Sequence, residues 1–221
     1  MMRIEILKDI LSANDQRAKE NRELLDRNNI VAINFTASPG AGKTSFILET
    51  INRLKADIKI GVVEGDVSSS LDAEMVAKEG VPVVQINTGG TCHLDATMVA
   101  SAFNSLPMEE IGLLLIENVG NLICPTAFAL GEDLNVLISS VPEGDDKPHK
   151  YPVMFSKAHL VVLNKIDLLP YVLFDLPAFT EAVRGLNNGV EIFEVSCKTG
   201  QGIERWTAWL SNRLNKRPRT S

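Results

Sequence analysis

A chain of 221 residues, 45% hydrophobic and 23% charged, holds one α/β domain with a real core and is short for two. A formal net charge of −6 argues against a nucleic-acid partner, which needs a dense basic face; only Lys216-Arg217-Pro218-Arg219 is basic, and it reads as a solvated tail. Three cysteines are too few and too odd in number for a disulfide framework, no run approaches the roughly 20 apolar residues of a membrane span, and the charged N-terminus lacks a secretory cleavage site, so a cytoplasmic setting without a membrane is expected.

In chain order, residues 4–27 place Ile4, Leu7, Ile10, Leu11, Ala18, Leu24 and Leu25 near helical spacing among many charges. That spacing predicts one or two amphipathic helices within an N-terminal segment, 1–29, packed on the sheet. Residues 30–35 are a short apolar run that reads as a buried strand, followed by a Gly-rich turn and a helix over 45–54. Strands are then expected at 58–63, 81–86, 112–116, 134–141, 160–163 and 191–195, and helices at 73–79, 96–104 and 203–214. Such alternation predicts an α/β domain over 30–214, a mostly parallel sheet flanked by helices on both faces, with ligands beyond the carboxyl ends of the strands. Residues 142–152, with Gly144, two aspartates, two lysines and three prolines, read as an exposed loop, and 215–221 as the basic tail.

After the first strand comes Ala37-Ser38-Pro39-Gly40-Ala41-Gly42-Lys43-Thr44, a phosphate-binding loop with Ala37 in place of the first glycine. Gly40 and Gly42 let the backbone turn so that successive N–H groups, including that of Ala41, face phosphate oxygens at a helix N-terminus. Lys43 would reach the β and γ phosphates, and the Thr44 hydroxyl would bind Mg²⁺. The strand before the loop and the helix after it make the fold class a P-loop NTPase.

Asn164-Lys165-Ile166-Asp167 follows the buried run 160–163, where the carboxyl edge of the sheet should lie. A carboxylate there accepts from guanine N1–H and the 2-amino group, and adenine lacks that pair of donors, so GTP and GDP are the expected ligands. Ser196-Cys197-Lys198 after the last strand resembles the segment that supports the base in GTPases. Cys197 is read as a small packing residue beside the guanine.

Thr91-Cys92-His93-Leu94-Asp95 sets a thiol and an imidazole side by side, and Cys124-Pro125 follows the run 116–122. Cys92, His93 and Cys124 offer three ligands, one short of a closed zinc site, which a symmetric dimer would complete. Thiolate and imidazole suit Ni²⁺ as well as Zn²⁺. Buried cysteines with a helix-capping histidine are the alternative; His149 and His159, without a neighbouring cysteine, read as surface or core residues.

These residues resemble the hydrogenase-maturation nickel-insertion GTPases, the HypB family. The resemblance spans nearly the whole chain and is most specific over Asn87-Thr88-Gly89-Gly90-Thr91-Cys92-His93-Leu94-Asp95 and over Ile116-Glu117-Asn118-Val119-Gly120-Asn121-Leu122-Ile123-Cys124-Pro125. It implies a GTPase that dimerises with GTP, binds nickel or zinc through Cys92, His93 and Cys124, and helps load nickel into the [NiFe]-hydrogenase large subunit beside the small zinc-containing accessory protein HypA. By the same resemblance Glu117, in the second switch, holds Mg²⁺ directly or through water. Asp66 or Asp72, in the first switch segment 64–72, contacts Mg²⁺ or orients the attacking water, with Asp72 preferred; Lys150 reaches the partner protomer's nucleotide. Turnover is expected to be slow, since no arginine finger is identifiable. Some family members begin with a cysteine cluster or a histidine-rich tract; this chain begins with neither, so nickel storage is not expected. Three other readings share some of these motifs: a metallochaperone GTPase of the urease or cobalamin-enzyme type, a nucleotide-set dimer bridged by zinc, and a small-molecule kinase. The separated Cys92-His93 and Cys124-Pro125 argue against the urease type, and Asn164-Lys165-Ile166-Asp167 against the kinase.

Overall fold

The computed structural model of the chain describes residues 2–67 and 69–216. Seven strands, β1 (Val31–Ala37), β2 (Ile60–Asp66), β3 (Val83–Asn87), β4 (Leu113–Glu117), β5 (Leu134–Ser140), β6 (Leu160–Asn164) and β7 (Glu191–Glu194), form one sheet. Their order is β3-β2-β4-β1-β5-β6-β7, and every neighbouring pair is parallel rather than merely most of them. Parallel neighbours need crossover connections, and the helices supply them. These are α1 (Met2–Arg27), α2 (Lys43–Leu54), α3 (Leu71–Ala77), α4 (Ala96–Phe103), α5 (Lys147–Lys150), α6 (Pro152–Lys157), α7 (Leu176–Leu186) and α8 (Ile203–Lys216).

The two-residue period of the strands sorts the core onto two faces. Val31, Ile33 and Phe35 of β1 and Leu113 and Leu115 of β4 pack with Phe46, Ile47 and Ile51 of α2 and Trp206 and Leu210 of α8. Ala32, Leu114 and Ile116 point the other way, onto Leu25 of α1 and Val99, Ala102 and Phe103 of α4. Beyond β5, Leu137, Val161 and Leu163 meet Phe155 of α6 and Phe179 and Val183 of α7. Each fully buried side chain of this size contributes about 2 kcal/mol. On the first face the Trp206 indole Nε1 donates to Thr50 Oγ1 at 2.9 Å, and that hydroxyl donates to the Phe46 carbonyl at 2.8 Å, so α8 is hydrogen-bonded into α2. Trp206 and Trp209 stack with centroids 5.8 Å apart.

The N-terminal segment is a single helix. Asn14 and Asn21 of α1 are buried, and both reach two separate stretches of chain. Asn14 accepts from Ala96 N–H and donates to the Ala129 carbonyl, each at 2.9 Å; Asn21 donates to the Ala96 carbonyl at 2.8 Å and the Leu130 carbonyl at 2.9 Å. The helix therefore clasps the start of α4 to the chain that follows Cys124. Among the described residues no helix is long and apolar enough to cross a membrane.

Three helices lie where the sequence expectation has none. Residues 142–152 are not an irregular exposed loop throughout: a 3-10 turn at Val141–Glu143 leads into α5, and Val141 and Pro148 are buried. Glu143 Oε2 accepts from Ser140 N–H at 2.8 Å and from the Ser140 hydroxyl at 2.9 Å, closing a capping box. The prolines that read as breakers start α5 and α6, where a missing N–H costs nothing. The third helix, α7, carries readable signals: Asp175 accepts from Ala178 N–H at 2.9 Å as N-cap, and Phe179 and Val183 recur at helical spacing. The tail residues 217–221 lie outside the described residues.

Candidate functional site

The carboxyl ends of β1, β2, β4 and β6 bring most of the predicted residues to one edge. Gly40 (φ 77°) and Gly42 (φ 93°) take left-handed backbone that other residues adopt at a cost, and a Cβ on Gly42 would strike the Asn164 amide. Ala41 is fully buried beneath the loop. Lys43 and Thr44 open α2; Lys43 Nζ lies 2.7 Å and Thr44 Oγ1 2.8 Å from the same oxygen of Glu117.

β6 delivers the second half of the cleft. Asn164 Nδ2 donates to the Ala41 carbonyl at 3.1 Å, while its Oδ1 accepts from Lys165 N–H at 2.7 Å and Cys197 N–H at 3.3 Å. Lys165, at φ 61°, sends its Nζ to the Gly40 carbonyl at 2.6 Å. Asp167 accepts from the Ser196 hydroxyl at 2.6 Å, and Ser196 in turn accepts from Thr199 N–H at 3.2 Å. A cleft of about 370 Å³ is lined by Gly42, Asn164, Lys165, Asp167, Cys197 and Lys198. Burial, with Glu49 adding to it, pushes the Cys197 thiol up to about 12. It stays a neutral packing group, and Leu48, Trp209 and Cys197 fringe the same core cluster.

On the α2 side, Glu64, Asp72 and Glu117 place carboxylate oxygens within 4.8 Å of one another. Glu64 and Glu117 face each other in register across β2 and β4 and are 1% and 0% exposed. Burial, reinforced by the Glu117 charge and only partly offset by Lys43, raises Glu64 to about 8. One oxygen of Glu64 and one of Glu117 are buried without a hydrogen-bond partner. Asp66 stands apart from this trio, accepting from Ser69 N–H at 2.6 Å to close the turn after β2. The sequence reading names Asp72 and Glu117 and misses Glu64. Its only local signal is a charge inside the apolar strand sequence Ile60-Gly61-Val62-Val63-Glu64.

The sulfur and imidazole donors also meet. Cys92 Sγ lies 2.8 Å from Cys124 Sγ and 3.9 Å from His93 Nδ1, and all three donors fall within 4.8 Å. Cys92 is exposed, and His93 and Cys124 are half-buried. The His93 ring stacks on Phe128 at 3.9 Å between centroids. Burial lowers His93 against the opposing pull of Asp95, which keeps the imidazole lone pair free at neutral pH. The Cys124 thiol is held up first by its hydrogen bond with Cys92, then by burial. Sulfur and nitrogen donors are the set a thiophilic divalent ion takes; at about 2.3 Å from a tetrahedral ion two sulfurs stand about 3.8 Å apart, so this pair would open by about 1 Å to hold one.

Lys150, expected at a partner's nucleotide, is paired with Asp146 at 2.6 Å on an exposed surface of its own chain. The lysine of this segment that reaches the phosphate loop is Lys147, 3.2 Å from the Ser38 hydroxyl and 3.2 Å from Glu143. Three positions along a short helix separate the two, and sequence alone does not say which face turns inward.

The family profile described as CobW/HypB/UreG, nucleotide-binding domain, matches residues 31–194. Hydrogenase maturation factor HypB of Escherichia coli strain K12 is 44% identical over 210 residues, covering 95% of this chain and 72% of that protein. Its namesake in Azotobacter vinelandii is 48% identical over 219 residues, covering 99% and 72%. Among solved structures, HypB of Archaeoglobus fulgidus superposes with a TM-score of 0.87 at 41% identity, covering 92% of this chain and all of that one. The structure of HypB from Helicobacter pylori in complex with nickel gives the same TM-score at 38% identity, covering 95% and 99%. A nucleotide-binding P-loop fold, a cysteine and histidine cluster beside it, and two solved relatives matched along almost their full length agree: the chain belongs to the HypB family of hydrogenase maturation factors.

Proposed function

We propose that this protein is a GTP-hydrolysing metallochaperone that carries nickel, or zinc, on Cys92, His93 and Cys124 and assists nickel insertion into the [NiFe]-hydrogenase large subunit. The observation that carries the reading is the adjacency of the two sites. Cys124 follows Glu117 by one short segment, and Glu117 is the carboxylate on which Lys43 and Thr44 converge. A homologue's structure in complex with nickel supports the choice of cargo.

The phosphate loop backbone and Lys43 hold the β and γ phosphates, and Asp167, steadied by Ser196, selects guanine. Thr44, Asp72 and Glu117 offer hard oxygen ligands, and the unpartnered buried oxygen of Glu117 is the kind of acceptor that Mg²⁺ satisfies. Mg²⁺, when bound, would neutralise charge developing on the phosphates. Asp66, outside the carboxylate trio at the end of β2, is then the residue for orienting the attacking water. Three metal donors leave a fourth position for a second copy of the chain, for HypA or for the hydrogenase client, so a GTP-dependent homodimer and both proteins are the proposed partners, in the cytoplasm. On hydrolysis the contacts of Glu117–Gly120 change and carry Cys124 with them.

Titrating Ni²⁺ into wild type and Cys92→Ala tests the cargo site, and phosphate release from Mg²⁺-GTP tests the enzyme. Cys92→Ala should lose the thiolate-to-nickel absorption and at least about 100-fold in affinity, beyond what losing an outer contact costs. Undiminished nickel binding in that variant rejects the site. Absent turnover leaves a nucleotide-set binding module instead.

A further inference from the structure

Between the nucleotide cleft and the metal donors lies a hydrogen-bonded junction whose residues belong to neither. β4 ends at Glu117, and Asn118 N–H donates to the Phe35 carbonyl at 3.0 Å, carrying the ladder one residue further. Successive residues of a strand point to opposite faces. Glu117 therefore turns toward α2, Lys43 and Thr44, whereas Asn118 turns toward the face covered by α1 and α4. There it is fully buried. Its Oδ1 accepts from the backbone N–H groups of Leu94 and Val119, both at 3.0 Å, and its Nδ2 donates to Asn34 Oδ1 at 3.2 Å.

Leu94 directly follows His93, and its side chain is fully buried. It sits over the bare backbone of β2: a Cβ on Gly65 would come within 2.7 Å of Leu94 Cγ. Gly65 separates Glu64 from Asp66. One leucine thus rests on the ends of both strands that bear the carboxylates, one residue from a metal donor.

We infer that Asn118 and Leu94 are positioning residues that transmit the nucleotide state to the metal donors. The inference rests on the function proposed above and names the route within it. Any shift of Glu117 moves its neighbour Asn118, and Asn118 cannot release Leu94 without leaving a buried N–H group unpaired. The limb carrying Cys92 and His93 then follows through that hydrogen bond only while the Leu94 side chain, seated against Gly65, holds the limb on the strand ends, whereas Cys124 follows along the chain from Val119. The two limbs meet again at Asn121, whose Nδ2 donates to the Cys92 carbonyl at 3.3 Å. Because the limbs are driven by different connections, a displacement of the β4 end changes the separation of the sulfurs, not just their common position.

The test is Ni²⁺ titration of the full chain in GDP and in a non-hydrolysable GTP analogue, followed by thiolate-to-nickel absorption. In wild type the two affinities should differ by at least about 5-fold, the lower bound of ordinary coupling. Asn118→Ala and Leu94→Ala should each still bind Ni²⁺ but bring the ratio to within about 2-fold, an uncoupled pair of sites. A merely structural role would lower the thermal midpoint and leave the ratio untouched. Either folded variant keeping the wild-type ratio overturns the inference, and Leu94→Ala, which leaves the Asn118 network in place, answers if Asn118→Ala does not fold. A wild-type ratio of one overturns the inference and the nucleotide coupling of the proposed function together, which tells the two failures apart.

Discussion

Asp167→Asn is expected to turn the proposed guanine site into a xanthine site. The carboxylate offers two acceptors, which match the N1–H and 2-amino donors of guanine. An amide offers one acceptor and one donor, which match the N1–H and 2-carbonyl of xanthine instead. Ser196 makes the exchange structurally tolerable: its hydroxyl donates to Asp167 at 2.6 Å, and a hydroxyl can equally accept from an amide. Facing GTP, the variant sets an amide N–H against the 2-amino group with neither paired, so GTP affinity should fall about 10³-fold, near 4 kcal/mol. XTP affinity should rise by a similar factor. Competition of both nucleotides against a fluorescent GDP derivative reads the two shifts at once, and an unchanged preference would place the base elsewhere than beside Asp167.

Lys43→Ala should act on two levels that one substitution rarely joins. In the proposed turnover it would remove the cation assigned to the β and γ phosphates, and a loss of at least about 100-fold in phosphate release is expected, about 3 kcal/mol. In the nucleotide-free chain it strips the ammonium from Glu117, which is fully buried and keeps only the Thr44 hydroxyl on the same oxygen. Breaking a buried pair on one side costs about 3 kcal/mol or more, so the denaturation midpoint of the free chain should drop too. Lys43→Ala with Glu117→Gln removes the stranded charge and should recover most of the stability but none of the turnover. Urea unfolding and phosphate release on the same preparations separate the levels; full turnover in Lys43→Ala would remove the loop from the chemistry.

The strands, the turn of the phosphate loop and the cleft lined by Asn164, Lys165 and Asp167 are legible because their signals are local: an apolar run, then a fixed spacing of glycine, lysine, asparagine and aspartate. Cys92, His93 and Cys124 come together as their flanking motifs suggest, since one segment leaves the carboxyl end of β3 and the other that of β4, with only β2 between them. Glu64 was not legible, because a single carboxylate in an apolar strand says nothing of its partner. Its meaning comes from the register Glu64 to Glu117, a relation between strands far apart in sequence. Lys147 and Lys150 lie on one four-residue helix, and which of them turns to Ser38 depends on how α5 docks, not on its own spacing. That Asp66 closes a turn while Asp72 joins Glu64 and Glu117 is visible only in the fold. The same holds for Asn118, whose partners Asn34 and Leu94 lie 84 and 24 positions away.

The bond from the Trp206 indole to Thr50 has an optical consequence. The chain contains two tryptophans, and they stack on each other. One of them is fastened to the middle of the helix whose first residue is Lys43. Indole emission responds to the hydrogen bond of its N–H and to the ring beside it, so a displacement of α2 under a bound phosphate is written into the protein's own fluorescence. Nucleotide occupancy would then be readable without a label, from a ring packed on the α2 face of the sheet rather than the α1 and α4 face on which Leu94, next to His93, is buried.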